Sequence, residues 1–187
     1  MARIRGLLLS ILIGGAILAA CGAASTPPSP SSSPQSFPRC TSTDLRVEIG
    51  VANVAMGHVG QQIRLKNVSR GSCTLRGYPR LQMRDATGAP LTTRLHVGAD
   101  YIVPRIPVQT VTLAQGGAAG FLVGYENATG FSSVTCPTSS TISIYPPHDT
   151  TALSVHWHLT PYGGNVTALR CGILTVSPIA RISQLGQ

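Results

Sequence analysis

The amino-acid sequence predicts an all-β domain, an antiparallel β-sandwich of Ig-like or related topology. Apolar side chains recur at every second residue along short runs, turn-forming residues separate those runs, and no segment sustains the 3.6-residue period of an amphipathic helix. In the first run Leu45, Val47, Ile49 and Val51 alternate with Arg46, Glu48, Gly50 and Ala52, which sends one face into a core. Ile63 and Leu65 then alternate with Gln62, Arg64 and Lys66; Leu91, Thr93, Leu95 and Val97 with Arg94 and His96. Phe121, Val123 and Tyr125 follow, then Ile142 and Ile144 before the Pro146-Pro147 break. Leu153, Val155, Trp157 and Leu159 alternate with Ser154, His156 and His158, and Leu174 and Val176 close the series before Pro178. Turn chemistry falls at 67–71, 85–88, 115–117 and 161–165. Short half-buried strands at this spacing suit two packed antiparallel sheets; a closed barrel is the structural alternative.

The N-terminal residues are expected to be a leader and not part of the fold. Arg3 and Arg5 precede an apolar run over 6–17 that carries a single polar residue, Ser10, and Leu18-Ala19-Ala20-Cys21 supplies a small-residue cleavage site ending in cysteine. That tetrapeptide resembles a bacterial lipobox, which implies a diacylglyceryl group on Cys21, loss of residues 1–20, and acyl chains of the palmitate kind. The apolar run is shorter than the ~20 residues a spanning helix needs. Residues 21–38, rich in Ser, Pro, Ala and Thr, cannot bury enough surface to offset ordering and read as a linker. Residues 39–187 remain for one domain. The expected location is the extracytoplasmic face of the cell membrane, lipid-anchored. Assigning Cys21 to the lipid leaves Cys40, Cys73, Cys136 and Cys171, an even set, so two disulfides are expected outside the cytoplasm. The spacing leaves three pairings open.

Fourteen basic against six acidic residues give +8, and +6 (12 − 6) once Arg3 and Arg5 are removed. Such a chain is attracted to anionic lipids and wall polymers by its summed field. Aromatic residues at 5% are too few for base stacking, which with the compartment excludes nucleic acid as a partner.

Three stretches carry a family resemblance: Gly57-His58, Leu65-Lys66-Asn67-Val68-Ser69, and Cys73-Thr74-Leu75-Arg76-Gly77-Tyr78-Pro79. Together with Cys136, Ile144-Tyr145-Pro146-Pro147, Cys171 and Leu174-Thr175-Val176-Ser177-Pro178, they resemble the signature of domain of unknown function 4232, found in secreted and lipid-anchored proteins of high-GC bacteria, largely actinobacteria. The resemblance implies a sandwich-like domain with bridges Cys40 to Cys73 and Cys136 to Cys171, and no activity. The sequence departs from the family at Arg80, where Gly is frequent, and at 100–107, a segment expected to serve this protein in particular.

Candidate sites are few. His156 and His158 project from one strand face and form a weak two-ligand metal candidate without a third ligand nearby; exposed polar strand positions are the simpler reading, so no metal or other cofactor is expected. His58, between Gly57 and Gly60, reads as a surface turn histidine. The carboxylates Asp44, Glu48, Asp85, Asp100, Glu126 and Asp149 form no acid/base pair in sequence, and the nucleophile and metalloprotease motifs are missing, so no enzyme is expected. Arg64, Lys66, Arg70, Arg76, Arg80 and Arg84 form the candidate patch for an anionic ligand, with Arg94 beyond them. Tyr78-Pro79 and Tyr145-Pro146-Pro147 read as turn-fixing motifs that a sugar or peptide platform would also use. Asn67-Val68-Ser69, Asn127-Ala128-Thr129 and Asn165-Val166-Thr167 match the glycosylation triplet but read as turn residues. The expectation is therefore a binding or adaptor domain in the cell envelope, contacting an anionic wall polymer or an envelope protein. An envelope hydrolase with a fold-assembled site and a passive structural partner are the alternatives.

Overall fold

A computed structural model describes residues 36–126, 139, 141–156 and 172–186; the leader, most of the linker, Cys136, Cys171, Trp157 and His158 lie outside them. The two longest alternating stretches pair with each other. Strands β1 (Leu45–Ala55) and β2 (His58–Asn67) run antiparallel around Met56 and Gly57, both at positive φ (49° and 82°), the conformation two-residue hairpin turns favour. After them come β3 (Cys73–Leu75), β4 (Arg80–Arg84), β5 (Arg94–Val97), β6 (Val111–Leu113) and β7 (Ala118–Glu126). The last four are β8 (Thr141–Tyr145), β9 (Leu153–His156), β10 (Ile173–Val176) and β11 (Ala180–Arg181). Short 3-10 turns at Ser42–Asp44 and Ile182–Gln184 are the helical segments among the described residues.

The strands form a main sheet in the order β1-β2-β7-β10-β5, with β11 also on β7, a three-stranded sheet β4-β8-β9, and a two-stranded ribbon β3-β6. The all-β expectation holds, but the purely antiparallel one needs correction: β5 and β10 pair parallel, Arg94 opposite Ile173 through Val97 opposite Val176. Parallel neighbours need a long crossover. The 79 positions between them (173 − 94) supply it.

One buried cluster draws on all three sheets. Leu45, Val59, Ile63, Leu65, Phe121, Val123, Leu174 and Val176 come from the main sheet, Leu81, Met83, Ile142 and Ile144 from the three-stranded sheet, and Leu75, Val111 and Leu113 from the ribbon. Each fully buried side chain of this size contributes about 1.5–3 kcal/mol. The Cys40–Cys73 disulfide joins that cluster and closes 33 positions, which the chain-entropy model equates with about 3–4 kcal/mol. The bridge that the resemblance pairs between Cys136 and Cys171 lies outside the described residues.

One strand departs from simple alternation. Ile49 pairs with Ile63 but Ala52 pairs with Gln61, so two residues, Gly50 and Val51, face the single Gln62. This bulge inverts the parity of β1. Ala52 packs on the core while Val51, expected inside, is 51% exposed. The buried Gln61 amide donates to the carbonyls of Gly50 (2.8 Å) and Val51 (3.1 Å), which the bulge removes from the ladder. A Cβ at residue 50 would lie 2.3 Å from Gln62 Oε1, so a larger residue there would have to displace the Gln62 side chain.

On the opposite face of the main sheet, Gly60 and Gly124 are register partners. The segment 98–107 lies over them. Ile102 sits 3.0 Å from where a Gly60 Cβ would be, and Val103 2.7 Å from that of Gly124. Val103 and Ile106 form a second buried cluster with Leu122, Ala180 and Leu185, which the C-terminal 3-10 turn completes through Ile182. Asp100 Oδ1 accepts from the amides of Ile102 (2.9 Å) and Val103 (2.7 Å), shaping the segment into a plug for the glycine groove. Gly124→Ala should therefore overpack this face and lower stability by about 1–3 kcal/mol in urea unfolding. An unchanged midpoint would show that the plug yields freely.

Candidate functional site

The predicted basic patch is dispersed by the fold. Arg64 and Lys66 lie on the plugged face of the main sheet, where Arg64 Nε donates to Gln62 Oε1 at 2.7 Å and the backbone register sets Arg64 opposite Glu48. Arg70 is exposed on the turn after β2. That turn is built by the buried Asn67, whose amide donates to Gly71 O and Leu113 O while its Oδ1 accepts from Ser69, the structural role read for this triplet. Arg84 also has a local use, donating to Ser143 Oγ (2.7 Å) and Gly88 O (2.9 Å).

Arg76 and Arg80 behave differently. Both are exposed, and both line hollows beside the loop that follows β8. The first hollow, about 200 Å³, is lined by Arg39, Thr74, Leu75, Arg76, Thr110, Pro147 and His148. The second, about 300 Å³, is lined by Arg76, Gly77, Tyr78, Arg80, Pro146, Pro147 and His148. They share Arg76, Pro147 and His148, and neither lining contains a carboxylate. The two Tyr-Pro motifs thus meet at one place, with cations around them.

Local structure explains how these side chains are held. Arg39 precedes the disulfide and pairs in parallel with Thr74, through Cys40 N to Thr74 O (2.9 Å) and Thr74 N to Pro38 O (2.8 Å). Gly77, at φ 108°, lets the chain turn between Arg76 and Tyr78, and its carbonyl accepts from Ile179 N at 2.9 Å. The Arg80 guanidinium lies over the Tyr145 ring, 4.6 Å from its centroid, and its Nη2 donates to Asp149 O at 3.4 Å. His148 adopts φ 67°, a left-handed conformation that is costly for a side chain with a Cβ. Its neighbour Asp149 holds the loop. The Asp149 carboxylate accepts from Thr151 N (2.8 Å) and Ser42 N (2.6 Å), which keeps its pKa below the ordinary aspartate value, the Thr151 amide being the largest cause and the Ser42 amide the next.

A separate hollow of about 230 Å³ lies at the other end of β7, lined by His58, Asp100, Tyr101, Tyr125, Glu126 and Thr175 among others. It gathers a histidine and two carboxylates that are far apart in the chain, a grouping that residue spacing could not reveal. The His58 ring packs on Tyr101 with centroids 4.8 Å apart, and Asp100 Oδ1 accepts from backbone amides. His156 is at the end of β9, opposite Thr141, while His158 lies outside the described residues. Among the described residues no three His, Cys, Asp or Glu side chains are grouped so as to hold a metal ion.

Arg39 and His148 were not singled out by residue patterning. Arg39 stands just before the first cysteine and His148 just after the Tyr-Pro-Pro motif, so adjacency to those landmarks was the signal available. Compared with known proteins, residues 40–180 match the family described as domain of unknown function (DUF4232). No curated protein matches the chain.

Asp149 provides a test of the loop's anchoring. A carboxylate whose pKa is lowered in the folded state stabilises the fold above its unfolded value and loses that contribution as pH falls through the lowered one. Asp149→Ala should cost about 1 kcal/mol at pH 6 in urea unfolding, and the gap to wild type should shrink below about pH 4. A gap independent of pH would mean that the ionised carboxylate is not what anchors the loop.

Proposed function

The chain belongs to the DUF4232 family, and from the cationic cleft its fold assembles we propose a non-enzymatic binding domain for anionic groups of the cell envelope. The observation that carries this reading is the pair of adjoining hollows lined by Arg39, Arg76, Arg80 and His148 with no carboxylate among them. Guanidinium groups present several N–H donors in a fixed fork that matches phosphate and carboxylate oxygens. The Tyr145 ring and the Asp149 carbonyl hold Arg80 in place before any ligand arrives, which reduces the ordering cost of binding.

The leader features support an extracytoplasmic lipoprotein. On this reading Cys21 carries the lipid, residues 22–38 space the domain from the membrane, and anchoring through two or more acyl chains is stable. The shared core of the main and three-stranded sheets supports a β-sandwich of Ig-related type, and the family resemblance implies a second disulfide from Cys136 to Cys171. Intact-mass measurement of the membrane-extracted protein should show loss of residues 1–20 and a lipid adduct on Cys21; an unmodified thiol there removes the proposed address.

Binding is tested on phosphocellulose with purified full-length protein. Arg76→Ala/Arg80→Ala should elute at clearly lower salt than Arg64→Ala/Lys66→Ala, although both variants lose two charges. Equal shifts would assign retention to the overall field and not to the cleft.

A further inference from the structure

Building on the anion-binding reading, we propose that the cleft is a two-subsite groove for a chain of phosphate groups, with Arg39 at the end of the linker completing one subsite. Each hollow has an arginine of its own, Arg39 in the first and Arg80 in the second, while Arg76 and His148 line both. A ligand carrying one isolated charge would leave one of the outer arginines unused. A ligand with charges repeated along a backbone engages both at once, with Arg76 and His148 between them.

The chemistry favours phosphate over carboxylate. In the first hollow the basic side chains come from three separate segments: Arg39 from the N-terminal stretch, Arg76 from the loop after β3, and His148 from the loop after β8. A guanidinium fork matches carboxylate and phosphate alike, but a carboxylate holds its acceptor oxygens in one plane, whereas a tetrahedral phosphate directs oxygens toward donors on several sides. In the second hollow Tyr78, Pro146 and Pro147 line the wall beside Arg76 and Arg80.

Arg39 is also anchored through its backbone. Its backbone is held against Thr74 beside the Cys40–Cys73 bridge, so the side chain starts from a fixed point although it is itself exposed. The first subsite is thereby assembled at the place where the linker enters the domain.

The test is competition against fluorescently labelled long-chain polyphosphate, read by anisotropy on purified full-length protein in detergent. Polyphosphate long enough to span both hollows should compete at least about tenfold better than pyrophosphate at equal total phosphate, because the second contact becomes intramolecular. Arg39→Gln and Arg80→Gln should each abolish that advantage, pyrophosphate then competing as well as the long chain, whereas Arg70→Gln, outside both hollows, should leave the advantage in place. Polyglutamate of matched charge should compete at least tenfold more weakly. Equal competition by pyrophosphate and long chains would overturn the two-subsite assignment while leaving anion binding in place. Equal competition by polyglutamate would overturn the phosphate assignment. If the labelled chain does not bind at all, the anion-binding reading itself fails.

Discussion

The structure depends on one covalent constraint at the point where the chain enters the fold. The Cys40–Cys73 bridge ties residue 40 to the first residue of β3, and backbone hydrogen bonds lock Pro38 and Cys40 against Thr74. This converts the end of a Ser/Pro-rich segment into an ordered edge beside the two-stranded ribbon. Without it, residues 36–39 would have little reason to be ordered, because their side chains bury little surface. The cleft forms from what the bridge positions: Arg39 just before it, Arg76 three residues after Cys73, and, through Ser42, the Asp149 carboxylate that holds the loop bearing His148.

A second constraint acts on the far face of the main sheet. β7 is buried along most of its length, so both faces need cover. One face meets the common core. On the other, Gly60, Gly120 and Gly124 remove side chains so that segment 98–107 and the C-terminal turn can approach the backbone. Segment 98–107 is thus first a packing element, and its exposed Tyr101 packs against His58 at the edge of the 230 Å³ hollow. This explains why β7 reads almost continuously apolar between Ala119 and Tyr125, where alternation alone would have left every second residue polar.

Much of the strand layout was legible before any coordinates. The period-two runs at 45–51, 63–65, 121–125, 142–144 and 174–176 coincide with β1, β2, β7, β8 and β10, the run at 153–159 with β9 as far as residue 156, beyond which it lies outside the described residues, and the run at 91–97 with β5 only from residue 94; the turn signals at 67–71, 85–88 and 115–117 separate strands as expected. The ribbon strands β3 and β6 escaped because three residues cannot establish a period. Val51 was assigned to the wrong face because alternation carries no record of a bulge, whose presence depends on Gln61 of the neighbouring strand. The parallel pairing of β5 with β10 was equally out of reach, since strand direction within a sheet is a property of the connection and not of either strand.

By itself, then, the sequence determined the local variables: which side chains share a strand face, where the chain turns, that four cysteines form an even set once Cys21 is set aside, and that the chain is basic. Those follow from backbone geometry and composition, which act over a few residues at a time. Tertiary structure decided which basic side chains lie together. Six basic residues close in sequence ended in several environments, some of them hydrogen-bonded to the scaffold, whereas Arg39 and His148, 109 positions apart (148 − 39), came to line one hollow with Arg76. Contact across that distance is created by the disulfide, the Ser42–Asp149 hydrogen bond and the shared core, and no periodicity within a strand can encode it.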